Sequence, residues 1–311
     1  QGVPGQSLME AARANGIDLA YEVKGDPSAP PVLLIMGLGM PLALWPDAFV
    51  DGLVANGFRV ILFDNRDVGL SRRIESADLG NALWAIGKAF MGFPVHGVYT
   101  IDDMADDAAG LLEALAIPKA HVVGMSMGGM IAQAMAARHA ARVASLISIM
   151  STSGSPRVSM GHPRALRAVL QLPPNPKDLE AVARHLEHVL RTIGSERYPP
   201  DEAELKAVCK RVAERGLDPQ GSSHQLFAIL ASGDRRASLK RINAPTLVIH
   251  GVDDPLLPVE GSRDIAENIP GAVLWEVEGM AHDLPGPLIP ALVARIAAHC
   301  RSAPWDQSPA P

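Results

Sequence analysis

Apolar positions along the chain fall into two kinds of run. Short stretches dense in Val, Ile and Leu occur at 31–36, 58–63, 121–124, 143–150, 246–250 and 273–277. Between them, helical patterns of apolar residues run over 44–55, 102–115, 127–140, 260–268 and 288–300. The first kind reads as strands buried on both faces, the second as helices with one face against a core. Their alternation predicts an α/β fold on a mostly parallel, doubly wound sheet. The stretch 17–24 predicts one arm of an antiparallel hairpin at the sheet edge.

The alternation stops between 155 and 239. No run there reads as a buried strand. Helical patterns at 178–193 and 202–215 take over, and Pro173, Pro174, Pro176, Pro199, Pro200 and Pro219 mark the joints. The expected organisation is a core in two parts, 1–154 and 240–301, with a helical cap of residues 155–239 inserted after the sixth strand of the sheet. Residues 302–311, polar and rich in proline, read as a loose C-terminal tail.

Composition narrows the function classes. With 311 residues, 48% of them apolar and 20% charged, the chain can bury one large core and is not of the disordered kind. A formal charge of −6 without a long basic run argues against a nucleic-acid partner. The apolar run 32–40 is too short to span a membrane and contains Gly37 and Gly39. Cys209 and Cys300 match no metal or redox spacing and read as free thiols of a reduced, cytoplasmic compartment. The start, Gln1-Gly2-Val3-Pro4-Gly5, has no initiator Met and no visible secretion signal, which leaves export open.

The chemistry centres on His121-Val122-Val123-Gly124-Met125-Ser126-Met127-Gly128-Gly129. A buried strand runs into Gly-x-Ser-x-Gly and an Ala-rich helix follows at once. That is the context of a sharp strand-to-helix turn that lifts a serine hydroxyl above the sheet. Glycines at 124 and 128 leave no side chains to collide across the turn. Ser126 is the candidate nucleophile. The new oxyanion needs preorganised N–H donors. The expected ones are Met127, the residue after the nucleophile, and Leu38, in the loop Met36-Gly37-Leu38-Gly39-Met40 after the strand at 31–36.

A serine needs a base, and the base an orienting carboxylate. Of ten histidines, only His282 sits in a loop after the last strand. His250 and His121 read as strand residues, and His185 and His188 as a solvated helix face. The acid belongs between Ser126 and His282 in chain order. The loop after 246–250 offers Asp253 and Asp254, and Asp254 is preferred. No Asp follows the strand at 143–150.

These segments, with Asp64-Asn65-Arg66-Asp67-Val68-Gly69, resemble the α/β-hydrolase superfamily over about 16–300, and within it small esterases of the aclacinomycin methylesterase type. The chain is also similar to cofactor-free haloperoxidases and C–C bond hydrolases. The resemblance implies an α/β-hydrolase fold and makes Asp254, fourth residue of Gly-x-x-Asp, the acid. Where many members carry His-Gly, this chain has Met36-Gly37. Ser126 stands where epoxide hydrolases and haloalkane dehalogenases carry Asp, which argues against those chemistries. Asp64 and Arg66 match a recurrent turn and are expected to pair with each other.

The expected pocket residues are Gly37, Met40, Trp45, Met125 and Leu257. The apolar stretch 83–93 is expected to line or cover its mouth, or to form a contact in a homo-oligomer. The expected substrate is a small to medium, hydrophobic, uncharged carboxylic ester, cleaved through an acyl-enzyme without metal or cofactor. Lactone opening, C–C cleavage and perhydrolysis at the same residues are the alternatives, and a non-catalytic ligand receptor is a rival from another class.

Overall fold

The computed structural model describes residues 10–76 and 79–303. Eight strands form its sheet: β1 (Glu10–Ala14), β2 (Ile17–Lys24), β3 (Pro31–Ile35), β4 (Arg59–Phe63), β5 (Ala120–Met125), β6 (Val143–Ile149), β7 (Thr246–Gly251) and β8 (Val273–Val277). Their spatial order is β1-β2-β4-β3-β5-β6-β7-β8. The hairpin β1–β2 and the pair β2–β4 are antiparallel, and every other neighbouring pair is parallel.

Eleven α-helices are present among the described residues. They are α1 (Asp47–Ala55), α2 (Ala82–Phe90), α3 (Ile101–Ala114), α4 (Met127–Arg138), α5 (Pro163–Leu170), α6 (Leu179–Ile193), α7 (Glu202–Arg215), α8 (Pro219–Ser232), α9 (Arg236–Leu239), α10 (Val259–Asn268) and α11 (Ile289–Ser302). Side chains alternate across each strand, so the two faces of β3 belong to different cores. Leu33 and Ile35 pack with Met104 and Leu111 of α3, Ile131 and Met135 of α4, and Ile265 of α10. Val32 and Leu34 pack with Phe49 and Leu53 of α1 and with Leu292 and Ile296 of α11. Both faces are covered, which is why the central strands carry no polar alternation.

Between β6 and β7 the chain leaves the sheet and forms α5 to α9 without adding a strand. Two of these helices were unreadable as periodic patterns. α8 turns Gly221, His224 and Gln225 inward beside Phe227 and Ala228, so polar residues occupy its buried face. α9 is only four residues long. The stretch 83–93 is largely helical, forming α2, and its Leu83 and Trp84 are 67% and 68% exposed.

Three expectations need adjustment. Asp64 and Arg66 do not pair with each other. Arg66 makes two hydrogen bonds of 2.6 Å to Asp107 on α3, and Asp64 accepts from Arg215 on α7 at 2.9 Å. Both are buried and each finds its full partner on a different helix. Second, Ser302 is not tail but the last residue of α11, and Ala303 is buried. The rest of the expected tail, 304–311, and the N-terminal pentapeptide lie outside the described residues. Third, His185 lines a cavity instead of a solvated face, while His188 is exposed. Both cysteines are free and buried. Among the described residues no helix is long and apolar enough to cross a membrane.

Candidate active site

Strand order reverses direction at β3, whose neighbours β4 and β5 follow on opposite sides. The crevice at the carboxyl ends of such strands is where an open α/β sheet offers a site. Ile35 at the end of β3 is in register with Gly124 of β5. The loop after β3 and the turn at Ser126 are therefore neighbours.

The turn is strained as its sequence requires. Ser126 has φ +57° and ψ −121°, an unusual conformation for a residue with a side chain, and it is the N-cap position of α4. A Cβ at Gly124 would lie 2.0 Å from the Gly128 carbonyl oxygen, and one at Gly128 would lie 2.0 Å from that of Ile35. Neither position tolerates a side chain. Gly37 approaches less tightly from the other side, where a Cβ would stand 3.2 Å from the Ser126 Cβ.

At the far edge, Gly251 of β7 is in register with Val277 of β8, which brings the two following loops together. His282 Nδ1 bonds Asp254 Oδ2 at 2.7 Å, and Ser126 Oγ lies 3.0 Å from His282 Nε2. Asp254 Oδ1 accepts the N–H groups of Leu256 and Leu257 at 2.8 and 3.0 Å. Asp254 is buried, whereas Asp253 is exposed. Burial pushes the Asp254 carboxyl up. The charge of His282 and hydrogen bonds from His250 and His282 outweigh that and hold it well below the usual carboxylate range.

Sequence reasoning missed several supports. His250 is packed as expected, but its Nε2 also lies 3.3 Å from Asp254 Oδ2. The His282 loop is fastened to the end of α6: the His282 N–H donates to the Ile193 carbonyl at 3.0 Å, and the Ala281 N–H to Ser195 Oγ at 2.8 Å. The Ser195 N–H donates to Asp283 at 3.1 Å. Burial raises the Asp283 carboxyl, and the Ser195 bonds offset this only in part. Asn65 donates to the Met36 carbonyl at 3.0 Å, and Gln225 accepts from the Gly39 N–H at 2.7 Å. These contacts span the chain; Gln225 and Gly39 are 186 residues apart, and no local pattern announces them.

Ser126 and His282 open onto a cavity of about 1350 Å³ between the sheet edge and the inserted helices. Gly37, Leu38, Met40, Met125, Met127 and Leu257 line it from the core, and Leu186, Val189 and Leu205 from α6 and α7. Trp45 does not line it. It is 2% exposed and stacks on Phe49 at 5.3 Å, because the turn before α1 directs the indole into the core under the sheet. Among the described residues no acceptor takes the N–H of Leu38 or of Met127. No group of three or more potential metal ligands occurs among them either.

A family model described as the alpha/beta hydrolase fold matches residues 30–285. The chain belongs to the alpha/beta hydrolase fold family. Within that family it is 32% identical over 307 residues to a rhodomycin D methylesterase of Streptomyces peucetius, covering 92% of this chain and 96% of the relative. A pimeloyl-[acyl-carrier protein] methyl ester esterase of Chromobacterium violaceum is 33% identical over 186 residues, 57% of this chain and 68% of its own. Among solved structures, the enol-lactonase of Burkholderia xenovorans LB400 superposes with a TM-score of 0.72 at 26% identity, covering 94% of this chain and all of that one. The enol-lactonase shares the fold described above.

Proposed function

We propose that this alpha/beta hydrolase is a serine-dependent carboxylic ester hydrolase with Ser126 as nucleophile, His282 as base and Asp254 as its orienting acid. The observation that carries the reading is the unbroken path from Asp254 Oδ2 through the His282 ring to Ser126 Oγ, at 2.7 and 3.0 Å, opening on an apolar cavity. Ser126 attacks the ester carbonyl as His282 Nε2 takes its proton, and Asp254 stabilises the imidazolium. The N–H groups of Leu38 and Met127 receive the developing oxyanion, supported by the positive end of α4. His282 returns the proton to the departing alcohol. Water activated by the same imidazole then hydrolyses the acyl-enzyme.

The segment 155–239 acts as a cap that roofs the cavity and sets what enters. At about 1350 Å³ the cavity exceeds the usual range for small-ligand sites, about 300–1,000 Å³. It therefore admits bulky apolar acyl groups as well as small ones. The methyl ester activities of two relatives favour a small alcohol as the leaving group. Lactone opening needs the same attack and oxyanion, and the enol-lactonase likeness makes lactones the second substrate class to assay.

The test compares wild type with Ser126→Ala on p-nitrophenyl acetate and on a series of methyl esters of increasing acyl bulk. Turnover by wild type and none above background by the variant is expected. Equal rates for the two proteins would overturn the reading. A fluorophosphonate should label Ser126, and an adduct elsewhere would remove its role.

A further inference from the structure

The loop after β3 is gripped from two sides. Asn65 Nδ2 donates to the Met36 carbonyl at 3.0 Å on the core side. On the other, the Gly39 N–H donates to Gln225 Oε1 at 2.7 Å, and Gln225 Nε2 donates to the Arg66 carbonyl at 2.8 Å. Gln225 is fully buried, so no water competes for these bonds. Its flat amide bridges one N–H and one carbonyl of two separate loops, as a peptide group does between strands.

Leu38 sits between the two grips. Gly39 has φ +67°, and a Cβ there would lie 2.6 Å from Ser222 Oγ, so the backbone runs hard against α8. A Cβ at Gly37 would lie 3.2 Å from the Ser126 Cβ, a looser but still tight approach. A loop with glycine on both sides of Leu38 is free to rotate the peptide between them unless something stops it. An oxyanion donor is effective only while it stays aimed before the charge develops.

We propose that Gln225, supplied by the inserted segment, is a positioning residue that keeps the Leu38 N–H aimed at the oxyanion. This rests on the function proposed above and adds a residue to it. Gln225 does not line the cavity and acts only through Gly39. Catalytic competence then depends on α8 being seated, and the roof of the site is also one of its braces.

The experiment uses the full chain as wild type, Ser126→Ala, Gln225→Met and Gln225→Glu. Methionine fills the volume and makes neither bond. Glutamate can accept from Gly39 but cannot, as carboxylate, donate to the Arg66 carbonyl. Three quantities are measured: kcat and KM for p-nitrophenyl butyrate, affinity for an aryl trifluoromethyl ketone that adds Ser126 to form a tetrahedral oxyanion, and affinity for a planar, unreactive ketone of the same shape. For Gln225→Met, kcat should fall about 10- to 100-fold and the trifluoromethyl ketone affinity by a similar factor. KM and planar ketone affinity should stay within about threefold. Gln225→Glu should fall between Gln225→Met and wild type.

Wild-type kcat and trifluoromethyl ketone affinity in Gln225→Met would overturn the inference. So would equal losses for the planar and tetrahedral ligands, the mark of a merely structural role. If Gln225→Met does not fold, Gln225→Glu is judged by the same two criteria. Should Ser126→Ala turn over like wild type, the proposed function falls and takes this inference with it. An inactive Ser126→Ala beside an unimpaired Gln225 variant removes the inference alone.

Discussion

Among the described residues two Asp–His–Ser arrays have the carboxylate at Nδ1 and the hydroxyl at Nε2 of the ring; the array Asp254–His250–Ser262 has them the other way round. Of the matching two, one runs Asp254–His282–Ser126. In the other, Asp67 Oδ2 lies 3.0 Å from His224 Nδ1, and His224 Nε2 lies 2.8 Å from Ser76 Oγ. The atom-by-atom connectivity is the same, and both histidines are buried. The surroundings differ. Ser126 stands on a strained turn at a helix N-terminus, beside amides that meet no acceptor among the described residues, and at the floor of a cavity. His224 and Ser76 do not line the cavity, and the Asp67 oxygens are shared with Tyr99 and the Ile74 N–H. The second array ties α8 to the loop after β4. Connectivity alone thus marks a hydrogen-bonded chain; a site that can transfer an acyl group also needs an aimed oxygen, donors waiting for charge, and space for substrate.

The comparison breaks most readily at Ser126. Ser126→Ala should reduce kcat about 10⁴-fold or more in an esterase assay. Turnover sustained through Ser76 would erase the distinction between the arrays. Asp254→Asn should cost about 10³- to 10⁴-fold, read from kcat at neutral pH. Its stability should also lose a pH dependence. The Asp254 carboxyl is depressed below its ordinary value of 3.8, so its stabilisation is present above that value and fades as pH falls through the folded-state pKa. Denaturant titrations from neutral to acid pH should lack that component in the variant.

Smaller effects sharpen the contrast. His224→Ala should lower stability by about 2–3 kcal/mol in urea unfolding, since it leaves the buried Asp67 short of a donor. Ser76→Ala should cost under about 1.5 kcal/mol and leave kcat within about twofold. Asp253→Asn should change kcat by less than about threefold, because that side chain is exposed beside the true partner of His282. Losses at Asp253 and Asp254 of equal size would contradict the geometry.

The main array was legible because each member follows a strand, two of them buried and the last, β8, a half-exposed edge strand, and strand ends can be read from short apolar runs. Gly-x-Ser-x-Gly singled out Ser126, chain order singled out Asp254, and the last strand singled out His282, and the structure brings these three side chains within hydrogen-bond distance. The second array gave no such sign: Asp67 follows the strand β4, but neither Ser76 nor His224 sits at a strand end. The supports of the first were equally silent. Gln225 hides in a helix whose inward face is polar, and Ser195 follows a helix end with no motif. Arg66 was misjudged because the recurrent turn suggested Asp64, while burial sent it to Asp107, 41 residues away. Trp45 was misjudged because being near a pocket loop in the chain is not the same as facing the pocket.

The segment between β6 and β7 presents Leu186, Val189 and Leu205 to the cavity and sends Gln225 and Ser195 down to the loops beneath it. It cannot be exchanged as an independent module. On the proposed function, a chimera that borrowed this stretch from a relative would change ligand fit and the aim of the Leu38 N–H in one step. Divergence in substrate choice on this scaffold should therefore proceed by substitutions on the cavity face of α6 and α7, with the positions that reach the core loops inherited unchanged.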